Sequence, residues 1–384
     1  MQMQSKPELL VFSIYLMGGG ASFHRNMIGN RPDDFFDITC IYLNPLHWNA
    51  KRSNDVILDD NNIIFNFLEE PINDVSSRLE KLISEREGVV ITNFDTELAT
   101  LGTYGRQKKT IFFICQDDAY IYLVKKYNHI IDVIITHNIA VFEEICKLLP
   151  NRQKDIHFIP HGVTVQDFDR NHNFENKLRL VFLARHVKLK GIYDLPKIDD
   201  ELRKRNIDVE WFIFGDGEER ENFINEVQSK DNFNFFIPQT TEDLIEALKI
   251  ADVYVLPSSL DGLPVSLLES MSVGCVPVVY NFSEGIKKVI TSDIGFVLPR
   301  GDVIAMADKI EFLSKNRNEL KKRSISCSVK ISQEFDIKKQ SGLYFRLYKN
   351  YKKLKKRRFA NLKRIVKKYF NNKYVKIVYH FVKD

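Results

Sequence analysis

Cysteine is scarce in this 384-residue chain: Cys40, Cys115, Cys146, Cys275 and Cys327 are odd in number and scattered, with no close pair. A disulfide-framed domain and a zinc site built on paired cysteines both lose their basis. A reducing, cytoplasmic setting is the expectation. Long hydrophobic runs are missing too, since no window approaches the roughly 20 apolar residues that a membrane-spanning helix needs. The N-terminal apolar run is short, follows the acidic Glu8 and gives way to Gly18, Gly19 and Gly20, so it reads as a first strand, not as a leader. The chain is expected to be soluble or peripheral.

Strong net charge is absent as well, at +5, but the small value conceals an asymmetry. Residues 349–384 hold fourteen of the 56 Lys and Arg and one of the 51 acids; the remaining 42 basic and 50 acidic residues leave −8. Any basic partner surface therefore belongs to the tail. With 44% apolar and 28% charged residues the composition is that of a folded globular protein, long enough for two cores of ordinary domain size.

What is present is organised around residues 251–285. Val253–Leu256 is a short apolar run ended by Pro257 and two serines, the pattern of a buried strand entering a loop that holds Asp261. Leu263 to Met271 has apolar residues at helical spacing, Gly274 ends that helix, and Val276 to Tyr280 is a further β-branched run. Glu269 then lies about two turns beyond Asp261. A helix start offers unpaired N–H groups and a positive dipole end, where a nucleotide diphosphate is readily seated. The two carboxylates can accept hydrogen bonds from different hydroxyl-bearing parts of one ligand, such as a sugar and a ribose.

Elsewhere, apolar strand patterns alternate with helical ones, which predicts parallel sheets covered by helices and an α/β fold. Strands are expected at Leu9–Leu16, Phe36–Leu43, Ile63–Leu68, Val89–Thr92, Thr110–Cys115 and Asp132–Thr136, with helices at Val75–Ile83 and Ala140–Leu149. A second series begins at Leu178–Leu183 and continues at Val209–Phe214 and Asn232–Ile237. At the end of its first strand stand Arg185 and, after four residues, Lys190-Gly191, two cations able to reach one diphosphate.

Asp261, seven residues, Glu269, in register with Arg185, four residues, Lys190-Gly191, resembles the retaining glycosyltransferases of family 4. That resemblance runs from Leu9 to about Asn350 and implies a GT-B fold, two Rossmann-like domains facing across a cleft. It implies an N-terminal acceptor domain over 1–165, a linker over 166–177, a nucleotide-sugar domain over 178–332 and a helix over 333–350 that returns to the first domain. Arg185 and Lys190 are expected on the donor diphosphate, Asp261 on the donor sugar and Glu269 on the ribose. Leu263, Val265 and Ser266 at the helix start, Gly215 in the Gly-Asp-Gly turn, and Gly19 and Gly20 in the first strand-to-helix loop are expected to line the donor. The family implies no metal and no cofactor beyond the nucleotide-diphosphate sugar.

Two departures from the family pattern stand out. Asp261 takes the place of the usual first Glu, and Gln116 stands where many relatives carry a His near the reacting centre. Gln116 and Asp117 are the acceptor-side candidates, with capping of a helix start as the plainer role for Asp117. His24 and His137 are read as structural or solvated. The function implied is transfer of a hexose, with retention, to a glycan acceptor on a lipid carrier in cell-surface polysaccharide or lipopolysaccharide synthesis. A non-catalytic nucleotide-sugar-binding subunit and a nucleotide-sugar epimerase on the same fold remain as alternatives.

From Tyr351 to Phe370, the residues Tyr351, Leu354, Phe359, Leu362, Ile365, Val366, Tyr369 and Phe370 fall in one helical arc with most Lys and Arg outside it. Residues 351–384 are therefore expected to form a basic amphipathic extension on an anionic membrane surface, at the cytoplasmic inner face. Packing on protein is the second reading, and nucleic acid is not expected as a partner.

Overall fold

The computed structural model describes residues 6–15, 19–47, 61–167, 177–238 and 240–356. Thirteen strands among them form two sheets. The first holds β1 (Glu8–Ile14), β2 (Asp37–Pro45), β3 (Asn62–Phe67), β4 (Gly88–Thr92), β5 (Lys109–Cys115), β6 (Val133–Thr136) and β7 (Ile156–Phe158) in the order 3-2-1-4-5-6-7. The second holds β8 (Leu178–Leu183), β9 (Val209–Phe214), β10 (Phe233–Phe236), β11 (Val253–Leu256), β12 (Val276–Tyr280) and β13 (Phe296–Leu298) in the order 10-9-8-11-12-13. The strands run parallel throughout, as their near-continuous apolar runs require: helices cover both faces, so neither alternate side chain meets water. This is the expected α/β architecture, two Rossmann-like domains of the GT-B type.

In each sheet the strand order reverses once, between β1 and β4 and between β8 and β11. The loops at the carboxyl ends of such a pair diverge and leave a crevice, the usual ligand position in open α/β sheets. Asn93 follows β4, the segment 185–191 follows β8 and the segment 257–262 follows β11, so both crevices open toward the space between the domains.

Two crossing connections hold the domains together. The Val163 N–H donates to Phe335 O at 2.8 Å and the Ile337 N–H to Val163 O at 3.0 Å. Helix Ile337–Lys349, capped by Asp336, then lays Tyr344, Phe345 and Tyr348 into the core of the first domain. Around Phe23 the packing is aromatic and polar together, with His24, His137, His161 and Tyr344 all edge-on to its ring and His137 stacked on His161 at 3.7 Å. Burial pushes His24 down to about 4, His137 to about 3 and His161 well below its ordinary value. These rings are neutral core, in keeping with the structural role expected for His24 and His137, and among the described residues no set of His, Cys, Asp or Glu could hold a metal.

The extension departs from expectation where it is described. The helix resumed at Tyr351–Leu354 ends at Lys355, whose backbone is extended, so the helix expected from Tyr351 onward is interrupted there. Tyr351 is buried beside Phe36, and its carbonyl accepts from the Thr110 hydroxyl at 3.0 Å. Arg106 donates to Lys356 O, the Lys356 N–H reaches Asp132, and its ammonium pairs with Asp155 at 2.6 Å. Tyr351 and Leu354 thus pack on the first-domain core instead of forming a membrane-facing stripe. Residues 357–384 lie outside the described residues. No described helix is long and apolar enough to cross a membrane.

Candidate active site

The site is built on the β8/β11 switch point. The loop after β8 turns back at Gly191, whose φ of +73° is left-handed and whose absent Cβ would lie 1.9 Å from Pro257 O. Only glycine fits there, and the contact brings the two switch-point loops together. Leu189 O fastens them further, accepting from the Ser259 N–H at 2.9 Å and from the hydroxyls of Ser258 and Ser259 at 3.1 Å. Gly215 plays the same part on the other side of β8, with φ +124° and a Cβ position 2.1 Å from Ala184 O.

Against this frame Lys190 and Asp261 form an ion pair, with side chains 16% and 20% exposed. Asp261 Oδ1 also accepts from the Gly262 N–H at 3.1 Å. Arg185 is exposed five residues before Lys190. Helix Val265–Ser272 begins two residues later than its apolar spacing predicts, because Pro264 is its N-cap; that cap makes no side-chain hydrogen bond to the first turn. Leu263 and Val265 are buried, which leaves their backbone N–H groups as what they can offer a ligand. Ser266 shares a hydrogen bond of 3.0 Å with the buried Tyr254 hydroxyl. Glu269 is on the same helix, 8% exposed.

The first domain faces this site at close range. A Cβ at Gly262 would lie 3.2 Å from Asp117 Cβ and from Gln116 O, so a larger residue there would push the loop after β11 and the end of β5 apart by a few tenths of an ångström. Asp117 accepts from the Ala119 N–H at 3.0 Å, which is the capping role, yet it also stands opposite Asp261. Burial first, then the charges of Asp118 and Asp261, raise its pKa to about 6. Gln116 donates to Asn93 Oδ1 at 3.4 Å, the same oxygen that meets His24 Nε2 at 3.2 Å, and Asn93 Nδ2 donates to Phe12 O at 2.7 Å. Farther along the cleft Gly285 abuts Asn138, and Lys288 pairs with Glu143 at 2.7 Å.

The structure therefore gathers Lys190, Asp261, Gln116 and Asp117 at one place, with Arg185, Gly215, Leu263, Val265, Ser266 and Glu269 on the second-domain side. Gly19 and Gly20 open helix Gly19–Gly29 beyond β1, at the switch point of the other sheet. Sequence reasoning missed Asn93, Ser258 and Ser259. Their signal is positional only, a polar residue one or two places past a strand, which any strand end can show.

Residues 165–326 match the family glycosyl transferases group 1. A glycosyltransferase of Haemophilus influenzae with no assigned role is 31% identical over 43% of this chain and 47% of its own length. The amylovoran biosynthesis glycosyltransferase AmsK of Erwinia amylovora is 28% identical over 41% of each chain, so this chain spans less than half the length of either relative. In fold, the chain is similar to Anabaena HepE, solved with UDP-glucose, at a TM-score of 0.71 and 14% identity over 90% of this chain and 100% of that one. The match to the glycosyl transferases group 1 thus lies in residues 165–326, within a chain whose two-domain fold is similar to that of HepE.

Proposed function

We propose that the chain is a glycosyltransferase that moves a sugar from a nucleotide-diphosphate donor to a glycan acceptor, with retention at the anomeric carbon. The observation that carries this reading is the convergence of Lys190, Asp261 and the start of helix Val265–Ser272 at the β8/β11 switch point, facing Asp117 across a narrow cleft. As the bond from the anomeric carbon to the diphosphate oxygen breaks, negative charge grows on the leaving group. Arg185, Lys190 and the N–H groups of Val265 and Ser266 are placed to stabilise it, which lowers the barrier by acting on the transition state. Glu269 holds the ribose and Asp261 the sugar. The acceptor hydroxyl attacks from the leaving-group face, and its proton passes to the departing phosphate oxygen.

Relatives named for amylovoran and capsular polysaccharide synthesis support a polysaccharide acceptor, which we take to be carried on a lipid. Held at the inner face of a membrane by its basic residues, such an enzyme would gain effective concentration toward a lipid-carried chain. The test is incubation with a panel of radiolabelled nucleotide sugars, with and without lipid-linked acceptors. Release of nucleoside diphosphate from one donor, accelerated by an acceptor, is expected. Donor binding with no turnover under any condition supports the non-catalytic subunit instead, and a changed sugar still attached to its nucleotide supports the epimerase.

A further inference from the structure

Lys190, one of the two cations expected on the diphosphate, is already engaged. Its ammonium is held by Asp261 Oδ2, while Asp261 Oδ1 is anchored on the Gly262 N–H at 3.1 Å. The pair is fixed from both ends: Gly191 and the serine contacts to Leu189 set the lysine's loop against the aspartate's. With about four-fifths of each side chain covered, the ion pair is shielded more than a surface pair yet still opens on the cleft. Asp117 adds a second carboxylate from the facing domain, and both Lys190 and Asp261 act on its charge. The ammonium paired with Asp261 therefore also acts on the carboxylate facing it from the other domain. A diphosphate brought to the start of helix Val265–Ser272 would find the Lys190 ammonium already neutralised as long as it stays on Asp261.

We propose that Asp261 competes with the donor diphosphate for Lys190, so that donor binding proceeds by exchange: the diphosphate takes the ammonium, and the released Asp261 carboxylate turns to the hydroxyls of the donor sugar. The inference rests on the reading of the cleft as a nucleotide-sugar site. It makes Asp261 a specificity determinant as well as a sugar contact, because a ligand without a diphosphate leaves Asp261 paired and unable to receive a sugar. No bond is made or broken in the exchange.

The exchange predicts opposite signs for binding and turnover. Calorimetric titration with UDP should show Asp261→Asn binding about five- to tenfold more tightly than the wild type, the equivalent of losing one partly shielded competitor. Transfer by the same variant should fall, since the sugar loses its acceptor. General repulsion between a carboxylate and a diphosphate would also tighten binding, so the decisive comparison is made in a Lys190→Met background. There the gain from Asp261→Asn should shrink below about twofold, because no ammonium remains to be freed. Asp261→Ser should repeat the Asn result. Equal gains in both backgrounds, or unchanged or weaker UDP binding by Asp261→Asn, would overturn the exchange while leaving the nucleotide site intact. Failure of UDP, GDP and inorganic pyrophosphate to bind any of these proteins would overturn the nucleotide-site reading and the exchange together.

Discussion

The two domains share an architecture and differ in how their polar residues are spent. In the second, Lys190, Asp261 and Glu269 lie on two short segments joined by backbone contacts at one switch point. In the first, the equivalent crevice is floored by Asn93, His24 and Gln116, drawn from three separate segments and tied to one another. A diphosphate is recognised by local features, a cation at a strand end and a helix start. An acceptor is recognised by whatever side chains the loops happen to bring together. Donor chemistry can therefore be concentrated in a motif, and acceptor chemistry cannot.

That contrast can be broken by mutation. Arg185→Ala and Lys190→Ala should each lower kcat by roughly a hundredfold or more, about what one lost transition-state donor costs. Donor hydrolysis and transfer should fall alike, read from steady-state rates with and without acceptor. A rise in KM alone would place these cations on the ground state instead. Glu269→Ala should weaken nucleotide binding by about 1.5 to 3 kcal/mol, the value of a charge-assisted hydrogen bond, and calorimetry with UDP measures it. Asp117→Asn, on the other side of the cleft, should spare donor hydrolysis and reduce transfer only. In the wild type, transfer should decline as pH falls below about 6, where the Asp117 carboxylate takes up its proton and no longer accepts from the acceptor hydroxyl. Equal loss of both activities in Asp117→Asn would assign it to the donor.

Stability sharpens the comparison from the other side. Truncation after Asn350 removes Tyr351 from the first-domain core and Lys356 from Asp132 and Asp155, and should cost about 2 kcal/mol by the urea midpoint of that domain. Acid should weaken the first domain more than the second. His24, His137 and His161 are held neutral when folded but take up protons near 6.5 when unfolded, so the unfolded chain binds more protons as pH falls from 6.5 toward 4. Each contributes a loss of up to about 1.4 kcal/mol per pH unit. In the second domain His186, lowered to about 4, adds one such loss. Glu97, raised to about 7 by burial, and Asp117, raised to about 6, oppose the trend over 7 to 4.5 and 6 to 3.8, two groups against four first-domain histidines, since burial lowers His157 as well. Urea midpoints of the two transitions between pH 7.5 and 5 decide it.

What could be read in the sequence follows the same division. Val253–Leu256, Val276–Tyr280, Leu178–Leu183 and Val209–Phe214 begin and end where their apolar runs do, because Pro257, Asn281 and the polar residues around them leave no alternative. Helix Asp95–Tyr104 was not foreseen: Gly102 and three threonines blur its spacing, and what starts it is Glu97 reaching back to the N–H groups of Asn93 and Phe94 at 2.6 and 2.7 Å. Asp117 was legible as a polar residue at a strand end, but its place opposite Asp261 depends on Gly262 admitting it, a tertiary fact with no local signature. Tyr351 and Leu354 fitted an amphipathic stripe equally well for a membrane and for a protein core, since both burials ask for the same spacing.

The donor diphosphate is proposed to sit at the switch point of the second domain. Hydrogen exchange with and without saturating UDP tests it amide by amide. Protection should rise over residues 185–191 and 263–269, with little change at residues 93–118. Protection confined to the first domain, or none in either segment of the second, would contradict the account.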